Sequence, residues 1–423
     1  MRIGDLEEGK KAYPTAARSN GMPDTEFRLL PPDRRKEYQR IVEYAFSPED
    51  GVREEPVDHG DEPGDAFGIF VDGDLVSVCK HYDFEASLRG TWVPLAGLAA
   101  VATPPEHRRR GHVRATIDAS LDRWRDKFPL AALWPFERAF YRRFGWATAN
   151  NYLEYSCSPT ALSFARDATE GRFKQVTPDE WRTLRPAHET HALRRTLTLR
   201  RDEAWWRDRV FRTLDDDRPY VYTYERGDEV RGYLVYTVER TGDGVDDREL
   251  EVRELVAVDE AAHRSLLGFL ADHDSQVDSV TVSTEDGNKL LDRFDDPSAV
   301  DCRRHAGPMV RIVDVEHALA AVPYPDDVSA DLVFRVTDET APWNDGVFHL
   351  DVSGGAGECA RVADPPDTVG ASLDIGTLSQ LAVGYHSVAD ARRVAGLTVD
   401  DAALTTALAS LFPPETVRLR TFF

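Results

Sequence analysis

The sequence predicts a mixed α+β protein with two tandem α/β domains of one plan and a third α+β domain. Three observations carry this reading. At 423 residues the chain is longer than a single core fills. A succession of hairpin, buried strand, helix and strand occurs twice, near residues 67–134 and again near residues 220–283. Beyond Asp301 the pattern changes to strands followed mainly by helices. The divisions that follow are a leader over 1–25 and domains over 26–158, 159–303 and 304–423.

In chain order, the polar residues 1–25 read as a loosely packed leader. Phe27–Leu30 is a short strand, and Arg34–Phe46 spaces its apolar residues as a helix does. Ser47–Asp65, rich in proline, glycine and acid, is a mobile connection. Phe67–Val71 and Leu75–Tyr82 are strands joined by Asp72-Gly73-Asp74, a hairpin signal. Leu95–Ala102 is a run of small and branched apolar residues, buried on both faces and ended by Pro104 and Pro105. A helix spans His112–Trp124 and a strand Leu130–Trp134. Tyr152–Cys157 ends the first domain.

Pro178–Phe211 reads as two ordinary helices, with Trp205-Trp206 as packing residues. Strands at Tyr220–Glu225, Arg231–Glu239 and Leu250–Val258, a helix over Glu260–His273 and a closing strand Ser279–Ser283 then repeat the plan. Met309–Val322 is a strand followed by a helix. Strands at 330–338, 346–352 and 358–362 and helices at 375–381 and 400–411 follow. Val417–Arg420 alternates like a strand.

The chemistry concentrates between Leu95 and Asp118. A buried strand, the basic turn His107-Arg108-Arg109-Arg110-Gly111 and a helix N-terminus together suit a polyanionic phosphate. Backbone N–H groups are unpaired at a helix start, the helix dipole favours negative charge, and arginine donors match phosphate oxygens. An R-x-x-G alone would be a solvated turn; the order strand, turn, helix gives it meaning.

This stretch resembles motif A of the GNAT N-acetyltransferases, although Val113 stands where the broad pattern has a small residue. The run Arg108-Arg109-Arg110-Gly111 resembles the Eis (enhanced intracellular survival) subfamily. So do Tyr141-Arg142-Arg143-Phe144-Gly145, the degenerate second copy, the sterol-carrier-protein-like end and the final phenylalanine. The resemblance implies an acetyl-CoA site made by Leu98, Ala99, Ala100, Val101, Ala102, His107, Arg108, Arg109, Arg110, Gly111, His112, Val113, Arg114, Phe136 and Glu137. It implies Tyr141 as the general acid for the CoA thiolate and the α-carboxylate of Phe423 as the general base. It further implies direct acetyl transfer to a primary amine, either of a small molecule (aminoglycosides among them) or of a lysine side chain. A homo-oligomer, a hexamer in the family, is implied too. Aligning Val258 with Val101 sets Gly268 on Gly111 and Ser265, Leu266 and Leu267 on the three arginines, so the second copy is expected to bind no CoA. The alternatives are a non-catalytic CoA- or lipid-binding protein and transfer of a longer acyl group.

Net charge is −23, and of 52 basic residues seven are lysine. An acidic, lysine-poor surface suits a protein kept soluble at high salt, where the Debye length falls to about 3 Å and long-range steering fades. That charge weighs against a nucleic-acid partner. Cys79, Cys157, Cys302 and Cys359 are far apart and read as buried thiols of a reducing compartment. No cluster has metal-ligand spacing, and no apolar run has signal-peptide or membrane-span length, so a cytoplasmic protein without a metal is expected.

Overall fold

The computed structural model describes residues 25–51, 63–166, 170–212, 218–242, 247–285, 289–366 and 368–423. The expected leader (to residue 24) and residues 52–62 of the acid-rich connection lie outside the described residues. The chain runs through β1 (Thr25–Leu29), α1 (Arg35–Phe46), β2 (Asp65–Val71), β3 (Asp74–Leu88), β4 (Thr91–Ala102), α2 (His112–Trp124), β5 (Leu130–Leu133), α3 (Arg138–Arg142) and β6 (Ala147–Thr148). Next come β7 (Asn151–Cys157), β8 (Arg172–Gln175), α4 (Arg185–Ala192), α5 (Glu203–Trp205), β9 (Tyr220–Arg226), β10 (Glu229–Arg240), β11 (Arg248–Ala257), α6 (Glu260–Ala271), β12 (Ser279–Glu285) and β13 (Asp301–Ala306). The last part holds β14 (Met309–Ile312), α7 (Val315–Ala321), β15 (Ala330–Thr337), β16 (Gly346–Ser353), β17 (Ala356–Arg361) and β18 (Ala371–Asp374). It ends with α8 (Ile375–Ala382), α9 (Val388–Val394), β19 (Thr398–Val399) and α10 (Ala402–Leu411).

The strands form three sheets, ordered β1-β2-β3-β4-β5-β14-β6, β13-β7-β12-β11-β10-β9-β8 and β17-β16-β15-β18-β19. In the first two the duplicated plan is plain: antiparallel strands lead to a parallel pair, β4 with β5 and β11 with β12, with α2 or α6 as the crossover. On the first sheet, Ile117, Leu121 and Trp124 of α2 pack against Leu98, Leu133 and Phe67. Asp72 and Gly73, with φ of 52° and 92°, make the β2–β3 hairpin turn.

Two strands are traded between the sheets. β7, read as the end of the first domain, pairs with β12 and β13 in the second sheet. β14, read as the start of the third, pairs with β5 and β6 in the first. Burial explains the exchange. All four residues of β5 and of β14 are buried, so each needs a neighbour on both sides; their antiparallel register matches Leu130–Leu133 with Met309–Ile312. Ser279–Ser283 accordingly does not close the second sheet.

The 178–211 region also differs from two ordinary helices. α4 is followed by an extended crossing in which Leu197 N–H donates to Ser87 and Arg200 N–H to Glu85. α5 then runs into a π-turn at Trp206–Val210. Trp205 and Trp206 are buried, the packing role expected of them. Burying such side chains contributes roughly 1.5–3 kcal/mol each, more than the few tenths of a kcal/mol per residue of helix propensity that the irregular backbone gives up. Cys79 and Cys157 are buried, Cys359 is half-buried, and Cys302 is exposed on the edge strand β13, against expectation. Among the described residues no helix is long and apolar enough to cross a membrane.

Candidate active site

The site begins where the first sheet splits. β4 pairs with β5 only from Leu95 to Leu98 against Leu130 to Leu133, and beyond that the strands separate. On the other edge the register slips: Lys80 faces Ala99 and Val78 faces Ala102, so Cys79 stands opposite both Ala100 and Val101. This is a β-bulge, with Ala100 in the left-handed region at φ 48°. The wedge beside Ala99–Val101 therefore exposes strand edge that no strand among the described residues uses, and these three residues are half-buried.

Below the wedge lies the arginine turn. Arg109 (φ 61°) and Gly111 (φ 85°) are both left-handed, and Gly111 is the N-cap of α2, with no side-chain cap and no acidic residue in the first turn. The first N–H groups of α2 are thus left to whatever anion arrives. Arg108 donates to Thr103 O at 3.0 Å and lies over Tyr44. Arg114 lies over the Phe144 ring at 4.8 Å. None of Arg108, Arg109, Arg110 and Arg114 has an ion pair among the described residues. In a chain of net charge −23, Arg108, Arg109 and Arg110 at a bare helix start form a local positive field, while Arg114 also acts on Asp118 one turn along α2. Burial, then His107 and Arg110, lowers the pKa of His112 and keeps that ring neutral beside them.

Tyr141 stands on α3, buried, with the Phe136 and Phe140 rings edge-on at 5.4 and 5.2 Å. Burial, with Cys79 nearby, pushes its hydroxyl above the ordinary tyrosine range, so the phenol holds its proton at neutral pH. The turn after α3 closes through Gly145 at φ 77°. A Cβ there would strike the Arg311 guanidinium, which donates to Phe144 O and pairs with Asp338 at 2.6 Å, both side chains fully buried. The lock on α3 thus comes from β14 and the third domain, and nothing near Tyr141 in the sequence announces it. Glu137, at the N-cap of α3, and Phe136 are exposed.

The tail reaches the first sheet at β3 and β4. Only Val417 makes a strand-like bridge, to Thr196, rather than the expected strand over Val417–Arg420. Arg418 N–H donates to Thr196 O at 2.8 Å, Leu419 N–H to Asn150 Oδ1 at 3.1 Å, and Trp134 Nε1–H to Thr421 O at 3.0 Å. Phe423 is buried against Phe84 and Tyr82, with ring centroids at 5.0 and 5.7 Å, while Phe422 lies exposed beside Trp134. Gly97 makes room: a Cβ would lie 2.7 Å from Phe84 and 3.0 Å from Phe423. The strand residues 98–102, the turn 107–114, Tyr141 and Phe423 all border the first sheet at β4 and its neighbours. Trp134, Gly97 and Arg311 are the residues that sequence reasoning passed over. A glycine inside an apolar strand was the one available signal. Among the described residues no group of His, Cys, Asp and Glu could hold a metal ion.

Comparison with known proteins agrees with this architecture. Residues 26–149 and 197–312 each match a GNAT acetyltransferase domain, and residues 315–419 match a sterol carrier protein domain. An uncharacterized N-acetyltransferase of Streptomyces avermitilis is 29% identical over 81% of this chain and 87% of its own length. The N-acetyltransferase Eis of Mycobacterium tuberculosis is 27% identical over 81% of this chain and 84% of its own. The solved structure of Eis1 from Mycobacterium abscessus superposes with a TM-score of 0.76 at 25% identity, over 94% of this chain and all of that one. A GCN5-related N-acetyltransferase from Anabaena variabilis shares the fold, with a TM-score of 0.81 at 23% identity over 94% of this chain. Two GNAT domains ahead of a sterol carrier protein domain, with Eis proteins matching along most of the length, make this chain an acyltransferase of the Eis-like GNAT N-acetyltransferase family.

Proposed function

We propose that the protein transfers an acetyl group from acetyl-CoA to a primary amine by direct attack, at the wedge between β4 and β5. The uncapped start of α2, behind Arg108, Arg109 and Arg110, which make no ion pair among the described residues, is the observation that carries the reading. On this reading Arg108–Arg114 hold the pyrophosphate, and the strand residues Leu98–Ala102, which leave β5 after Leu98, hold the pantetheine arm through backbone hydrogen bonds. The N–H of Val101, turned by the bulge, polarises the thioester carbonyl. Tyr141, kept protonated by burial, gives its proton to the departing thiolate. The α-carboxylate that Phe423 carries in this sequence takes the proton of the incoming amine, directly or through water. Its ring, seated on Gly97, fixes that position. The aromatic surroundings of Phe422, Trp134 and Phe136 favour small-molecule amines with an apolar portion over polycations.

The test is thiol release from acetyl-CoA against a panel of amines in molar KCl, for the wild type and for a variant extended by several residues after Phe423. Amine-dependent release in the wild type, lost on extension while acetyl-CoA still binds, supports transfer and the terminal base together. A fully active extended variant removes Phe423 from the chemistry. Failure of the wild type to bind acetyl-CoA overturns the whole reading.

A further inference from the structure

The second sheet splits as the first does. β11 and β12 pair from Glu249 to Val252 against Ser279 to Val282, then part. The wedge they leave is a cavity of about 250 Å³ whose polar lining includes His191, Arg194, Arg195, His263, Glu285 and Arg418. It is not a second CoA site. The strand-edge carbonyls that an extended pantetheine would need are already taken. Leu255 O accepts from Arg418 (3.4 Å), Ala257 O from His191 Nδ1 (2.9 Å) and Val258 O from Arg194. The N-terminus of α6 is closed by the Asp259 carboxylate, which accepts from Ala262 N–H at 2.8 Å.

What remains has a definite chemistry. His191 is 3% exposed, and because its Nδ1–H donates to a carbonyl, Nε2 carries a lone pair; that atom lacks any partner among the described residues. Burial, with Arg418 and Arg195 beside it, holds this ring neutral, so Nε2 accepts and does not donate. Glu285 is shared by Arg195 at 2.6 Å and Arg418 at 3.5 Å, while Arg194 has no ion pair among the described residues. The other two carboxylates at the rim are engaged elsewhere, Asp259 by Arg226 and Arg231 and Glu260 by Arg293. Among the described residues three guanidinium groups therefore face one carboxylate and the unpartnered ring nitrogens of His191 and His263, in a chain that is strongly acidic overall.

We propose that this wedge of the central domain binds a small oxyanion bearing a hydroxyl, its charge met by Arg194 and Arg195 and its O–H donated to His191 Nε2. Hydroxycarboxylates and hydrogen phosphate share that chemistry. The proposal is independent of the acetyl-transfer reading, since it concerns a different sheet and is read by binding alone.

The experiment is thermal unfolding and titration calorimetry of the full chain with malate, succinate, phosphate and sulfate, with ionic strength held constant by KCl. Malate is expected to bind saturably and about fivefold more tightly than succinate, the ratio one neutral hydrogen bond supplies, with phosphate likewise ahead of sulfate. Arg194→Gln is expected to weaken malate on the order of tenfold or more, through loss of a charge-assisted contact. Arg109→Gln, in the arginine turn of the first wedge, is expected to leave malate binding unchanged. Equal affinity for malate and succinate would overturn the role of His191. Malate binding that survives Arg194→Gln, or that disappears with Arg109→Gln, would overturn the site.

Discussion

The two wedges of this molecule share one architecture and diverge in what fills them. In the first, β4 ends at Ala102 and α2 starts at His112, and the intervening turn carries the arginines and ends on an uncapped glycine. In the second, β11 ends at Ala257 and α6 starts at Glu260, leaving no room for such a turn. Spacing along the sequence set Gly268 against Gly111 and three core residues against the arginines. The structure corrects that match: the N-cap counterpart of Gly111 is Asp259, and Gly268 sits mid-helix, where a Cβ would come 2.7 Å from Ala165 O. The second wedge did not have its phosphate contacts replaced one by one. It lacks the loop that would make them, and a carboxylate occupies the helix start in their stead.

The sharpest break in the comparison is at Tyr141. Tyr141→Phe keeps the packing against Phe136 and Phe140 and removes only the acid. The expected loss in kcat is about tenfold to a thousandfold, with acetyl-CoA binding retained, as measured by steady-state thiol release and equilibrium titration. An unchanged kcat would take Tyr141 out of the proton path and leave the first wedge a binding cleft like the second.

Each wedge is also tied by a buried arginine–carboxylate contact, and the two differ in depth. Arg311 and Asp338 are fully buried and hold the turn behind α3, whereas Glu285, shared by Arg195 and Arg418, keeps 13% of its side chain exposed. Burial works against ionisation of Glu285, and Arg418 and Arg195 more than offset it, so its carboxyl stays far below the usual range. Asp338→Asn is expected to destabilise by about 3–5 kcal/mol, the cost of a buried charge losing its partner. Glu285→Gln should cost less, about 1–3 kcal/mol, because water reaches that pair. Urea unfolding of both variants checks the order, and a larger loss at Glu285 would reverse the assignment of which wedge is locked more tightly.

The contrast also marks how much was legible in the residues. The hairpins, the buried strand and the helices of both repeats were readable because each is encoded by local period and turn chemistry, as at Asp72-Gly73. The arginine turn was readable because strand, turn and helix are contiguous. The strand exchange was not: β7 and β14 have strand-like patterns that say nothing about which sheet receives them, and pairing across more than a hundred residues is decided by burial. The contacts that complete the first wedge come from the far end of the chain. Trp134 meets Thr421, Gly97 accommodates Phe423, and Arg311 meets Asp338; none of these pairs has a local signature.

The finest comparison is between two buried histidines, one under each wedge. His81 of β3 donates from Nε2 to Ser120 at 2.9 Å, because the Ser120 hydroxyl is itself given to Thr116 O, and its Nδ1 has no partner among the described residues. His188 of α4 donates from Nε2 to Leu199 O at 2.9 Å and accepts at Nδ1 from the Tyr233 hydroxyl at 3.0 Å. Burial, reinforced by Arg123 for His81 and by Arg201 for His188, lowers both from 6.5 to about 3. A folded-state value below the unfolded one means that the unfolded chain takes up protons first. The stability these rings contribute is complete above pH 6.5 and is lost as pH falls toward 3. Each ring should add a slope of up to about 1.4 kcal/mol per pH unit across that interval. His81→Gln should remove one such slope and His188→Gln the other, measured as urea midpoints from pH 7 downward. His188→Gln should cost more at pH 7, because both nitrogens of His188 are bonded and His81 uses only one.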